Sequence, residues 1–236
     1  MTGQTPQLHA PEDGYVFIVT YGRSGSTLLQ NLLNSIPGYC IRGENNNTLY
    51  HLARAWNTVA QAKEMQGLRK RGEPSAQIHP WYGAELTRPE RYARSLANDF
   101  VREILCPPPG TRVAGFKEIR FHHDAKFFRR YMDFMRRFFP KARFVFNTRD
   151  HAAVARSGWW AEKDPEEVAA RLRRAEALYD AYVEAWPQIS LRLRYEDYNG
   201  NPEGMRPLFD FLGEPFDEEM AARVLGQRLQ HMKDEG

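Results

Sequence analysis

The residues best equipped for chemistry fall in one run, Gly22-Arg23-Ser24-Gly25-Ser26-Thr27, between an apolar stretch and a leucine-rich one. Its glycines let backbone N–H groups approach a ligand, and the start of the next helix adds a positive dipole end. Arg23, Ser24, Ser26 and Thr27 add donors around the same point, so the run reads as an anion cradle. It is not the Walker loop G-x-x-x-x-G-K-[ST]. Aligned on Gly25, the first glycine is Thr20 and the lysine is Ser26, which disfavours Mg²⁺-dependent ATP or GTP hydrolysis. For this run alone, the plainer reading is a tight turn with a serine helix cap.

These residues need elements to hold them. Tyr15-Val16-Phe17-Ile18-Val19 is short, β-branched and aromatic, as a strand buried on both faces would be. Leu28, Leu29, Leu32 and Leu33 follow at helical spacing, and Pro37-Gly38 ends that helix. Further strands are expected at Tyr39–Ile41, Val113–Phe116, Arg143–Asn147 and Ser190–Tyr195. Helices are expected over 124–138, after Asp150 to about Trp160, and over 165–186, with two short helices at the end. Residues 48–110 read as a helical insertion broken at Pro74, Pro80 and Pro89. Strands alternating with helices call for an α/β fold: a central parallel sheet of about five strands with helices on both faces. In such sheets ligands bind at the carboxyl ends of the strands. Those ends carry the cradle, Gly43-Glu44, Lys117-Glu118, Arg149 and Tyr195-Glu196-Asp197, where ordinary turns would carry turn residues.

Composition excludes several classes. The 236 residues, 42% hydrophobic and 13% aromatic, supply a substantial core, which rules out a disordered, collagen-like or disulfide-stapled chain. One domain over 1–236 is expected, with residues 1–13 a flexible N-terminus and 48–110 the helical insertion. A net charge of +3 is too small to imply nucleic-acid binding. Of the 33 cations 26 are arginine, the side chain suited to bidentate recognition of phosphate or sulfate, although most read as solvated surface. Arg129, Arg130, Arg136 and Arg137 are read first as such a face and second as an anion-binding patch. Cys40 and Cys106 are too far apart in sequence for a CxxC pair, and no metal-ligand set accompanies them. Two thiols, a polar N-terminus without an apolar signal region, and no run of about 20 apolar residues lead to the expectation of a cytoplasmic protein with no membrane span.

In that setting the motifs resemble the PAPS-dependent sulfotransferases, in the carbohydrate and tyrosylprotein branch. The stretch GRSGSTLLQNLL looks like their 5′-phosphosulfate loop. The segment Arg143 through Asn147-Thr148-Arg149-Asp150 to Ser157 is similar to their 3′-phosphate motif, which implies that Arg149 and Ser157 clasp that phosphate. Leu193-Arg194-Tyr195-Glu196-Asp197-Tyr198, with Asn201-Pro202, is similar to a further family segment. The resemblance spans about Tyr15 to Leu212 with the motifs in family order. It implies a P-loop-like fold, PAPS as sulfuryl donor, PAP as product and no required metal.

The residues themselves are compatible with these roles. Arg149 can make bidentate, charge-assisted bonds to a phosphate, with Ser157 adding a hydroxyl from about two helical turns away. The bland alternative is an Arg149–Asp150 surface pair. Tyr195 suits stacking on adenine and a strand-end core position equally. Gly22, Arg23, Ser24, Gly25, Ser26, Thr27, Arg149, Ser157 and Tyr195 are therefore the expected donor-binding residues. Arg23 and Lys117 are the expected catalytic cations. Lys117-Glu118-Ile119 stands where cytosolic phenol and steroid members carry a catalytic histidine, so that base has no counterpart. Glu44 resembles the catalytic glutamate of the other branch; Glu118 is the reserve, and His122 or His123 come third. A helix-starting acid is the alternative for Glu44. Trp56, Trp81, Tyr82, Arg88, Arg91 and Arg94 are candidates to line an acceptor cleft, each also readable as core or solvated surface. The expected acceptor is a hydroxyl-bearing carbohydrate or glycolipid, then a tyrosyl peptide or small natural product. A kinase with a degenerate loop and a silent nucleotide-binding scaffold are the competing functions.

Overall fold

The computed structural model describes residues 11–226. Residues 1–10 of the N-terminal stretch expected to be flexible lie outside the described residues. Five strands, β1 (Gly14–Val19), β2 (Tyr39–Arg42), β3 (Val113–Glu118), β4 (Ala142–Thr148) and β5 (Ser190–Arg194), form one all-parallel sheet in the order β2-β3-β1-β4-β5. The helices are α1 (Ser26–Asn34), α2 (Thr48–Gln61), α3 (Lys63–Arg71), α4 (Pro89–Phe100), α5 (Ala125–Phe138), α6 (His151–Ala155), α7 (Pro165–Ala185), α8 (Tyr195–Tyr198), α9 (Arg206–Leu212) and α10 (Glu218–Leu225).

The pleat of β1 divides its side chains between two cores. Tyr15, Phe17 and Val19 pack with α2, α4, α5, α6 and α7 on one face. Val16 and Ile18 pack with α1, α9 and α10 on the other. The chain therefore leaves β1 toward one face and β4 toward the opposite face, and the crevice between those exits is a switch point of the kind that binds ligands. The leucines of α1 are all buried, and Gly38, at φ +80°, turns the chain from that helix into β2. On α5, Phe127, Tyr131, Phe134 and Phe138 are buried as the spacing predicts. Asp124 caps that helix by accepting from the Phe127 N–H, and Asp164 caps α7 through Glu166 and Glu167; each cap is worth about 1 kcal/mol.

Two expectations are corrected. The helix after Arg149 stops at Ala155, five residues short of Trp160, and Ser157 is an extended residue opening a 3₁₀ turn over Gly158–Trp160. Tyr195 opens the short helix α8 instead of ending β5. Of the two readings open for Trp56, the core one holds: it is 5% exposed and packs on Phe134 and Phe138.

Candidate active site

The cradle is held from below by buried hydroxyls and amides. Thr20 Oγ1 lies 2.6 Å from Ser24 Oγ and 2.7 Å from the Asn147 carbonyl. Asn147 Nδ2 donates to the Ser24 carbonyl at 2.8 Å, and Tyr198 O–H donates to Asn147 Oδ1 at 2.9 Å. Ser24 is thus tied to β4 and α8. The cap position of α1 is Gly25 at φ +80°, with no side-chain cap bond, so the serine-capped turn is not what forms here. Arg23 is also left-handed, at φ 66°, a conformation uncommon for a side-chain-bearing residue. Ser26 is buried and Thr27 half-buried at the start of α1.

On one side of the cradle the aromatic and basic groups interlock. The Tyr195 ring lies on Gly25 so closely that a Cβ there would sit 2.1 Å from it. The Arg149 guanidinium lies over the same ring, 4.6 Å from its centre. Arg149 Nη1 donates to the Arg23 carbonyl at 3.0 Å, and Arg23 Nε donates to Ser157 Oγ at 2.9 Å. Arg149 Nε is buried without a hydrogen-bond partner among the described residues, a donor that an anion would satisfy. Asp150 does not pair with Arg149; it caps α6 through the Ala153 N–H. Trp159 covers Gly22, where a Cβ would sit 2.3 Å from the ring, and faces Arg23 at 5.9 Å. Trp160 Nε1 donates to the Gly22 carbonyl at 3.2 Å.

Behind this cluster, the Arg149 N–H donates to the Tyr21 hydroxyl, which donates to Glu176 on α7 at 2.6 Å. Burial and the Glu176 bond both raise the Tyr21 pKa, so the hydroxyl stays protonated as that donor. Tyr179 gives its single proton to the Thr20 carbonyl at 2.9 Å. His122 Nδ1, 3.3 Å from the same hydroxyl, must then carry the proton of the imidazole. Desolvation, helped by His123 and Arg171, drives the His122 pKa down to about 3.

At the other side, beyond β3, sit the acids. Lys117, with its side chain 8% exposed, contacts Glu44 Oε1 through Nζ at 2.7 Å, and Arg120 Nη1 contacts Glu44 Oε2 at 3.0 Å. Glu44 lies four residues before α2 and is engaged by these cations, so it is not a helix-starting acid. Glu118 is fully buried. Its Oε2 accepts from the Asn45 and Asn47 N–H groups, and its Oε1 from Ile119 N–H and Arg120. It braces a loop in which Asn46 and Asn47 both have positive φ, fixing the segment that carries Glu44.

The fold therefore brings every expected strand-end residue to one edge, in the order Glu44, Lys117, cradle, Arg149, Tyr195, which is the order of the strands. Trp81, Tyr82, Arg88, Arg91 and Arg94 are exposed, with no partner in the site. Sequence reasoning passed over Arg120, Trp159 and Asn147. Arg120 was legible as a third charge after Lys117 and Glu118, whereas Asn147 acts through a contact 123 residues away in sequence. Among the described residues no group of three or more His, Cys, Asp or Glu side chains is placed to hold a metal ion. No helix among them is long and apolar enough to cross a membrane.

With this geometry established, the comparisons give a family. The model of the Sulfotransferase family matches residues 15–218. Solved structures that share the fold include two sulfotransferase domains. The sulfotransferase domain of the Synechococcus PCC 7002 olefin synthase has 21% identity and a TM-score of 0.59, with 100% of this chain and 84% of that one covered. The sulfotransferase domain from the curacin biosynthetic pathway has 18% identity and a TM-score of 0.52, with 88% and 76% covered. No curated protein gives a significant match. Because the matched region runs from β1 to the start of α10 and so takes in all five strand ends that build the site, the chain belongs to the sulfotransferase family.

Proposed function

We propose that this sulfotransferase takes PAPS as its donor and forms a sulfate ester on an acceptor hydroxyl, first on a carbohydrate or glycolipid, with Glu44 as general base. One observation carries the reading. Glu44 is fixed between Lys117 and Arg120 on the same edge where Arg149, Ser157 and Arg23 converge beside the Tyr195 ring. The buried Arg149 Nε, without a partner among the described residues, fits a phosphate-bearing nucleotide. PAPS supplies the sulfuryl group and leaves as PAP.

The chain's own residues do the rest. The cradle N–H groups, Ser26 and Thr27 orient the 5′ end, and Arg149 with Ser157 holds the 3′-phosphate. Lys117 and Arg23 offset charge that grows on the bridging and sulfuryl oxygens. Glu44 takes the proton of the acceptor hydroxyl, at the oxygen that Arg120 or Lys117 gives up. The Lys-Glu-Ile sequence at the end of β3 supports the carbohydrate and tyrosylprotein branch over the phenol and steroid one. The acceptor side is assigned to α2–α4, and the described fold to one catalytic domain. A cytoplasmic setting, with Cys40 and Cys106 both free thiols, belongs to the same proposal.

Calorimetry with PAP, AMP and ATP, each with and without Mg²⁺, tests it. Metal-independent preference for PAP is the expected result. Preference for Mg²⁺-ATP would favour a kinase, and no binding would favour a silent scaffold.

A further inference from the structure

Four large apolar side chains stand in water on one loop. Between α3 and α4, residues 72–88 carry Ile78, Trp81, Tyr82 and Leu86, which are 94%, 43%, 58% and 71% exposed. Single exposed hydrophobes are ordinary on a soluble protein, whereas a local group of four marks a contact face. This loop is closed by its own bonds. Glu85 accepts from the Ser75 N–H at 3.1 Å and from its hydroxyl at 2.8 Å, and Gly83 N–H donates to Ser75 Oγ at 3.0 Å. Trp81 N–H donates to His79 Nδ1, and Arg69 of α3 reaches Thr87 at 2.9 Å. A fixed frame thus holds the apolar side chains outward.

Charge supplies the second observation. Residues 63–94 hold seven cations and four acids, an excess equal to the whole chain's +3. Lys63, Lys70, Arg71, Arg88, Arg91 and Arg94 are exposed, and none makes an ion pair with another described residue. Of the acids, Glu85 is committed to Ser75 and Glu90 to Arg137. An apolar tip with unpaired cations beside it matches an anionic lipid surface: Trp and Tyr suit the headgroup boundary, Ile and Leu the acyl edge, and Lys and Arg the phosphates. A second copy of this face would set the same cations against one another.

We propose that the 72–88 loop, with α3 and the start of α4, is a membrane-contact surface that seats the enzyme on an anionic bilayer. The inference stands apart from the donor assignment, because it uses none of the cradle residues.

Vesicle sedimentation of the full chain tests it, with phosphatidylcholine vesicles alone and with phosphatidylglycerol added. Binding is expected only with phosphatidylglycerol, falling several-fold as salt rises from about 0.1 M to about 0.5 M. The double variant Ile78→Ser/Leu86→Ser should bind about tenfold more weakly or less. Its melting temperature should match the parent's, since both side chains are already in water. Three results would overturn the proposal: no binding to phosphatidylglycerol vesicles, undiminished binding by the double variant, or a dimer of the parent chain that the double variant abolishes.

Discussion

Glu44 and Glu118 share one arginine, yet only the first has an oxygen that an incoming hydroxyl can reach. Glu118 is fully buried and spends both oxygens on three backbone N–H groups and Arg120. The Glu44 side chain is 31% exposed and held only by two side-chain cations. Glu44→Gln is therefore expected to keep PAP affinity while turnover falls about 10²- to 10⁴-fold, the span of a lost general base. An unchanged rate would transfer the role to Glu118. At the nucleotide end, Arg149→Ala should weaken PAP by about 10- to 100-fold, the worth of a charge-assisted bond, and leave AMP nearly unaffected. Equal losses for both nucleotides would remove Arg149 from the 3′-phosphate. The sequence announced Glu44, Lys117 and Arg149 by type and position. It did not announce that Arg23 meets Ser157, because that bond joins residues 134 apart through a left-handed backbone.

The unit β1–cradle–α1 was legible as an element because its signals are local: an apolar run, a glycine turn, then leucines at helical spacing. The strand order was not, since β3 and β4 flank β1 through contacts about 100 and 130 residues long in sequence. The end of α6 was misjudged for the same reason. The backbone turns extended at Ser157, and Trp160 is drawn under the cradle to bond Gly22. These packings make a prediction about the element itself. At Gly25 any Cβ meets the Tyr195 ring at 2.1 Å and the backbone sits at φ +80°. Gly25→Ala should thus cost about 1–3 kcal/mol of stability. It should also weaken PAP at least as much as Tyr195→Ala does, because ring and loop are displaced together. Parent-like melting and PAP affinity in Gly25→Ala would mean that the ring does not sit on the loop.

For the molecule as a whole, the cradle is coupled to global stability through a buried neutral imidazole. His122, in the turn after β3, lies near His123 and Arg171 and against the Tyr179 hydroxyl of α7 that bonds the Thr20 carbonyl. Its pKa falls from the ordinary 6.5 to about 3, chiefly by desolvation. The unfolded chain takes a proton below pH 6.5 that the folded chain refuses, so stability falls as pH drops from about 6.5 toward 3. One such group amounts to about 2 kcal/mol by pH 5. Glu214, whose pKa is lowered mainly by its Arg112 hydrogen bonds, acts lower down. Its contribution is present above the ordinary carboxylate value of 4.5 and is lost as pH falls through its depressed one. The pH 7 to 5 window therefore isolates the imidazole from that carboxylate. Urea unfolding at the two pH values should show the loss in the parent chain and about 2 kcal/mol less of it in His122→Asn, which retains a donor for Tyr179 without titrating. A variant as acid-sensitive as the parent would show that His122 is not the group that refuses the proton.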